Sequence, residues 1–366
     1  MGRPCAIICD GKLLRIQENL YDFLLELRQK KRGRSLWVDA ICIDQGKGAE
    51  EEAERGHQIK MMADIYESAA SVLVWLGHST SSTDYGVCLL ERFASMNAQI
   101  AEHYGGPDVL RTLYQQQPIE NMLEVYFTDR NYSQGVLWKM WPAFWGWYGF
   151  EAILNRDYFE RAWVIQELSL AKEFRLFIGS KEIPSGPFVG AINWMSHFLG
   201  LMSAGTSLQV GTIGSAAFPS LLKRRQQLQE GTKWTLVEAM SISRDRKATV
   251  LRDKVFAFLG LVNNPLLSNL PLDTMITNMI EADATNAVFV KCTIAMAESS
   301  NWPHVLSLVR TGQDELGCNG LPSWVPNYSA PLKHSRFGHM DARTFVPQSQ
   351  LAQSSKLFER KSHPRN

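Results

Sequence analysis

Two short stretches hold the side chains best suited to chemistry. In Leu36-Trp37-Val38-Asp39-Ala40-Ile41-Cys42-Ile43-Asp44-Gln45, an apolar run takes in a carboxylate and is closed by Asp-Gln. A charge inside an apolar run is costly unless something compensates it. If the run is a strand that stops near Asp39, this carboxylate stands at the carboxyl end of a strand, where open parallel sheets collect ligands. Asp44 and Gln45 then extend into the same crevice. Asp39 can orient a ribose or a cation there, or simply cap nearby amides. Arg55 and Gln58 follow, one helical turn apart near the start of a helix, where backbone amides and the macrodipole favour anions. They can hold a phosphate or pair with Asp39 or Asp44. The second stretch carries Arg161, Trp163, Gln166 and Glu167 within two turns. Arg161, Trp163 and Gln166 can approach one side, whereas spacing alone does not make Arg161 face Glu167. Trp163 offers a stacking plane, Gln166 an amide and Glu167 a carboxylate; the alternative is a tryptophan packed on a sheet with polar neighbours covering its rim.

Other chemistries lack their spacing. Gly46-Lys47-Gly48 is not a phosphate-cradling loop and precedes acids. Cys42 with His57 has no third group to complete a thiol and base pair. Histidines 57, 78, 103 and 197 stand singly, so no zinc site is expected.

The elements that position these residues follow from hydrophobic periodicity. Leu36 to Asp39 as strand, Glu54 to Ala70 as helix and Ser71 to Gly77 as strand make a parallel βαβ unit. Before it, Cys5 to Cys9 and Lys12 to Ile16 read as strands joined by a turn at Asp10-Gly11, and a helix starts at Asn19. After it, a polar turn over His78 to Asp84 leads to a helix from Tyr85 to His103. The stretch from Gly105 to Asn131 reads as a variable insertion. Trp138, Trp141, Trp145 and Trp147 crowd around Pro142 as core or a domain contact. A helix is expected from Asn155 or Asp157 to Ala171, then a strand over Phe174 to Ile178 turning at Gly179-Ser180. Further helices are expected over Pro187 to Leu199, Pro219 to Gln229, Trp234 to Arg244, Asp253 to Leu261 and Ala282 to Ser299. Residues 1–180 are read as the core, 181–330 as a mainly helical extension and 331–366 as a loose polar tail.

Composition narrows the class of protein. At 45% hydrophobic and 20% charged residues, the chain can bury a substantial core. Lys plus Arg exceed Asp plus Glu by one, 38 against 37, which leaves no global field to recruit nucleic acid or an anionic membrane. The basic runs Lys223-Arg224-Arg225 and Arg244 to Lys247 read as solvated faces. The six cysteines show no paired metal spacing, and Cys42 and Cys88 lie in apolar contexts that suggest buried, reduced thiols and a cytoplasmic location. No long apolar run follows Met1-Gly2-Arg3-Pro4, so no secretory signal is expected. The apolar stretch from Met140 to Phe150 is too short to span a bilayer.

LWVDAICIDQ and ERGHQIKMMADIYESAASVLVWLG, followed in order by RDYFERAWVIQELSLAKE, RDKVFAFLGLV and LPSWVPNYS, resemble the fungal heterokaryon incompatibility (HET) domain. The resemblance implies self/non-self recognition and programmed cell death signalling in filamentous fungi, through a protein partner or self-association. It also implies a distant relation to the TIR fold: a flavodoxin-like, α/β parallel sheet flanked by helices. Some TIR domains cleave NAD with a glutamate, which by analogy makes NAD a possible substrate, with no resident cofactor, Glu167 the first candidate carboxylate and Asp39 the second. Whether the chain is an enzyme or an assembly module stays open at this stage, as does an inactive, truncated remnant. Family members usually carry an Ala-Leu-Ser-Tyr-x-Trp-Gly type strand ahead of Ile7, so the sheet is expected to lack that strand. Asp44 stands where the family more often has asparagine.

Overall fold

The computed structural model describes residues 5–29, 33–46, 48–104, 146–193, 195, 217–264, 267, 281–299, 305 and 320–329. It opens with an antiparallel hairpin, β1 (Cys5–Cys9) and β2 (Lys12–Ile16). The connecting Asp10 and Gly11 both have positive φ, 48° and 75°, as a two-residue turn matched to the strand twist requires. Helix α1 (Glu18–Gln29) follows and begins one residue ahead of Asn19. It lays Phe23 and Leu27 on Trp75 and Phe177, with the Phe23 and Trp75 rings stacked 5.3 Å apart.

The expected strand at Leu36 is not formed. Residues 33–38 have no regular structure, and a one-turn helix, α2 (Asp39–Cys42), takes the place of the strand end. The amides of Ile41 and Cys42 fold back on the Val38 carbonyl and that of Ile43 on Asp39. The Asp39 carboxylate accepts the Ala40 amide at 2.7 Å. These local bonds replace a ladder, and Leu36 and Trp37 remain more than a third exposed.

Helix α3 (Ala49–Ser68) starts earlier than the apolar stripe suggests, because Glu50, Glu51 and Glu52 sit in its first turn, where acids suit the dipole. Strand β3 (Val72–Trp75) pairs in parallel with β4 (Phe174–Ile178), which pairs antiparallel with β5 (Lys181–Pro184). The parallel pair is therefore β3 with β4, and the connection between them runs through residues 76–173. Central β4 carries Phe174, Leu176, Phe177 and Ile178, all fully buried, as a strand covered on both faces should. Its turn falls at Gly179 with φ +53°, close against Ser79. The described residues thus make a mixed α/β fold with small sheets flanked by helices.

Helix α4 (Ser81–Tyr104) crosses a helical stretch over 146–154, α5, at glycines. The expected helix from Asp157 to Ala171 is split into a 3-10 turn (Asp157–Glu160) and α6 (Val164–Leu170). Between them Arg161 is extended and bridges Lys247. A helical stretch over 185–193, α7, lies next, followed by α8 (Ala217–Gln229), α9 (Leu236–Arg244), α10 (Asp253–Phe256), a 3-10 turn (Leu259–Leu261) and α11 (Glu281–Ser299). Thr235 and Glu238 close α9 with a capping box. One apolar core draws on residues from Val72 to Tyr328. Trp147 packs against it, while Trp138, Trp141, Trp145, the stretch from Gly105 to Asn131 and the tail from residue 330 lie outside the described residues.

Two further expectations are corrected. Cys42 and Cys88 are exposed, whereas Cys5 and Cys292 are buried. Cys42 sits on the exposed turn of α2, and Cys88 on the outer side of α4. Within the basic runs Arg225, Arg244 and Arg246 are buried, each under 8% exposed, while Lys247 is exposed as expected. Among the described residues no helix is long and apolar enough to cross a membrane.

A methyl group on Gly149 would stand 1.8 Å from the Ser82 carbonyl oxygen and 2.7 Å from the Gly86 nitrogen. Both are backbone atoms, so α4 and α5 must separate to admit it. Gly149→Ala should lower the urea unfolding free energy by about 1–3 kcal/mol, the range for overpacking a tight contact. An unchanged midpoint would show that this crossing yields easily.

Candidate functional site

The site is built around α6, which is fixed at both ends by cations from the basic runs. Ahead of it, the Ala162 amide donates to the Lys247 carbonyl (2.8 Å) and the Lys247 amide to that of Glu160 (2.6 Å). The Lys247 ammonium pairs with the Glu160 carboxylate, and Arg246 donates to the Phe159 carbonyl. Behind it, buried Arg225 donates to the carbonyls of Leu168, Ala171 and Lys172, with its guanidinium 5.4 Å from the Phe174 ring centre. These are the acceptors a helix leaves open at its C-terminus. Burial lowers the pKa of Arg225, and that of Arg246 to about 10.

This frame sets Glu167 inside the protein, 9% exposed. The Tyr158 hydroxyl donates to its Oε2 at 2.8 Å. Burial raises the Glu167 pKa above its ordinary value; nearby Arg161 and the Tyr158 hydrogen bond oppose the rise, and Asp39 adds to it. Tyr158 is itself raised by burial and by Glu167. Tyr66 from α3 is raised by burial, then by Glu167 and Asp39, with Arg161 opposing. Five groups from separate segments, Asp39, Tyr66, Tyr158, Arg161 and Glu167, therefore share one electrostatic neighbourhood. Trp37, 37% exposed, has its ring perpendicular to that of Tyr66 with the ring centres 6.3 Å apart.

Of the residues singled out by sequence, Asp39, Arg161 and Glu167 come together. Arg161 and Glu167 do so because the break before α6 removes ordinary helical spacing. Asp44, Gln45 and Arg55 instead close their own loop. Asp44 accepts the Gly46 amide, Gln45 donates to the Ile43 and Asp39 carbonyls, and Arg55 donates to the Gly46 carbonyl and pairs with Glu52 at 3.7 Å. Gln58 is half-buried and makes no side-chain hydrogen bond to Asp39 or Asp44 among the described residues. Trp163 gives its indole N–H to Asp253 at 3.2 Å. Gln166 is 1% exposed, its Oε1 has no partner among the described residues, and its amide nitrogen lies against Gly260, where an added methyl would come within 2.9 Å.

Tyr158 was invisible to the sequence reading, because no helical or strand period links it to Glu167. Tyr66 reads as core from its stripe and is half-buried against the core, yet its hydroxyl environment belongs to the site. Among the described residues no group of three His, Cys, Asp or Glu side chains is placed to hold a metal ion.

The later sequence blocks are physically tied to this site. Trp163 reaches Asp253, and the neighbouring Lys254 donates to the carbonyls of Arg244 (2.8 Å) and Ser329 (3.1 Å). Tyr328 in turn hydrogen-bonds Thr293 at 2.9 Å.

Residues 2–167 match the family model of the heterokaryon incompatibility protein, HET. The chain is also similar to heterokaryon incompatibility protein 6, OR allele, of Neurospora crassa. The two are 25% identical over an alignment covering 87% of this chain and 49% of that protein. The chain thus spans about half the length of this curated relative. No solved structure matches it significantly.

Glu167→Gln provides a test of the buried acid. Because the folded-state pKa is raised above the ordinary 4.5, the unfolded chain ionises first as pH rises. The stability associated with the protonated form is present below that value and is lost as pH rises through the folded pKa. The substituted amide keeps an acceptor for Tyr158 and has no charge to desolvate. The variant should match the parent in urea midpoint at acid pH and exceed it increasingly toward neutrality. A constant difference across pH would place the Glu167 carboxyl in a solvated setting.

Proposed function

We propose that this chain acts in heterokaryon incompatibility, the self/non-self response of fusing filamentous fungi, as a cytoplasmic protein that signals programmed cell death through a protein partner or self-association. The observation that carries this reading is the domain match over residues 2–167, supported by the named relative. In this reading residues 1–180 are the signalling core and residues 181–330 its extension. We infer further that the core is a TIR-like variant of the flavodoxin-like sheet. The parallel β3–β4 pair, with β4 central and helices packed around it, supports that reading.

The Glu167 cluster favours a second reading, in which the death signal is chemical. A buried carboxylate flanked by Tyr158, Arg161, Tyr66 and Asp39 suits heterolysis of a glycosidic bond such as that between nicotinamide and ribose in NAD. The bond electrons leave with neutral nicotinamide, positive charge develops on the ribose ring, and the ionised Glu167 stabilises it. Water then adds to the ribose carbon and releases a proton, giving ADP-ribose. Low polarity around Glu167 strengthens that electrostatic stabilisation, and Tyr158 holds the carboxylate in one orientation.

Expression of the chain in a filamentous fungus should cause growth arrest and cell death. If the site is chemical, purified protein should release nicotinamide from NAD, and Glu167→Gln should lower the rate by about 10²–10⁴-fold, the span for one positioned acid or base, while circular dichroism stays unchanged. Death that persists in Glu167→Gln, without nicotinamide release by the folded parent, would assign signalling to assembly. Absence of any death response on expression at natural levels would remove the incompatibility reading itself.

A further inference from the structure

Strand β1 reads Cys5-Ala6-Ile7-Ile8-Cys9, without a charge or a proline, and among the described residues it pairs with β2 alone. The two-residue turn makes Cys9 and Lys12 a hydrogen-bonded pair, and alternation makes Ile7 with Leu14 and Cys5 with Ile16 the next ones. The amides and carbonyls of Ala6 and Ile8 therefore point away from β2, and among the described residues no backbone group meets them. This edge is open to solvent: Ile8 is 77% exposed, and Leu13 directly opposite it is 72% exposed.

The other strand edges are guarded. Strand β3 is buried at Val72, Val74 and Trp75, β5 turns Glu182 and Pro184 outward, and β2 carries Lys12 and Arg15. Cover, charge and proline are the means by which proteins keep an edge from pairing, and β1 has none of them along its outer side. A two-stranded hairpin is marginal in water, and further strands stabilise it.

The strand is complementary to itself. Laid antiparallel about Ile7 on β1 of a second copy, it sets Ala6 of each copy opposite Ile8 of the other, so the residues with free backbone groups meet and exchange four hydrogen bonds. A slip of two residues brings in Pro4, which has no N–H, or Asp10 of the turn, whose φ is 48°. In the centred register Leu14 and Ile7 of both copies form one aliphatic row across four strands, and no cation stands opposite another. The chain's net charge of +1 leaves little repulsion between copies.

We propose that the β1 edge is a pairing surface for a second copy of this chain, joining two hairpins into one four-stranded antiparallel sheet about a two-fold axis at Ile7. It gives a surface to the self-association in the reading above and does not depend on that reading. A five-residue edge falls short of the about 800 Å² per partner of a standard interface, so the pairing is weak and concentration-dependent.

The test is sedimentation velocity of the full chain in reducing buffer over a range of concentrations. The parent should pass from monomer to dimer. Ile8→Pro removes one donor per copy that the hairpin does not use, and should weaken association by about thirtyfold, the net worth of two hydrogen bonds. Leu13→Lys, on the same exposed face but not on this edge, should leave it within about threefold. A monomer at every concentration, a dimer indifferent to Ile8→Pro, or an equal loss in Leu13→Lys, which would mean face-to-face stacking, would each overturn the proposal. The unmutated chain supplies a second measurement. In the centred register Cys5 of one copy stands opposite Cys9 of the other at a non-hydrogen-bonded position, about 4.5 Å between Cα atoms, a separation a disulfide spans. Within one chain the two lie four residues apart on a strand, about 13 Å. Mild oxidation with diamide should therefore give a Cys5–Cys9 disulfide between copies, identified by peptide mass mapping and absent in Cys9→Ser. Crosslinks through other cysteines in its place would overturn the register. Expression in a fungus is judged separately: a chain that pairs but causes no death overturns the incompatibility reading alone, and one that causes death but never pairs overturns this surface alone.

Discussion

The Arg225 guanidinium is the contact on which the remaining architecture depends. It lies in the interior and takes the carbonyls at the end of α6 just before the chain enters β4. A buried helix end with open acceptors costs free energy for each one, and a buried cation without partners costs more. Each removes the other's cost here, and Phe174 beneath the guanidinium places the first residue of the central strand. Arg246 and Lys247 do the corresponding work ahead of α6, on the carbonyls and carboxylate of residues 159 and 160. Helix α6 cannot slide without breaking one set or the other.

That rigidity allows Glu167 to be buried. A carboxylate in this position opposes folding at neutral pH, and the chain retains it with one hydroxyl donor and one nearby guanidinium rather than a full ion pair. Burial raises the pKa of this acid, which is useful for chemistry and a burden for stability. The same helix carries Gln166, buried with its Oε1 lacking a partner among the described residues and its amide nitrogen lying against Gly260.

The family match ends at residue 167, inside α6, but the physical unit continues. Arg225, Arg246, Asp253 and Lys254 all come from the later half, and each supports a segment of the site or of its immediate frame. Lys254 is buried, with its pKa pushed down to about 8, and stays tied to carbonyls at 244 and 329. The ordered sequence blocks of the later half are thus struts of the earlier half.

Local pattern alone determined much of this protein. The hairpin with its Asp10-Gly11 turn, the helix over Tyr85 to His103, β4 with its Gly179 turn and the helices from Pro219, Trp234 and Ala282 are legible because period, propensity and turn residues act within a few positions. Asp39 was legible as a carboxylate in an apolar run, and Arg161 and Glu167 as polar groups within two turns of each other. What only the tertiary structure decided involves partners distant in sequence. The Leu36 run has strand-like composition but found local bonds instead of a ladder, Lys247 interrupted the helix at Arg161, and Tyr158 met Glu167 across that break. The arginines that read as solvent-facing became internal because helix-end carbonyls awaited them. A sequence displays which groups need partners, and only the folded chain supplies the distances that assign them.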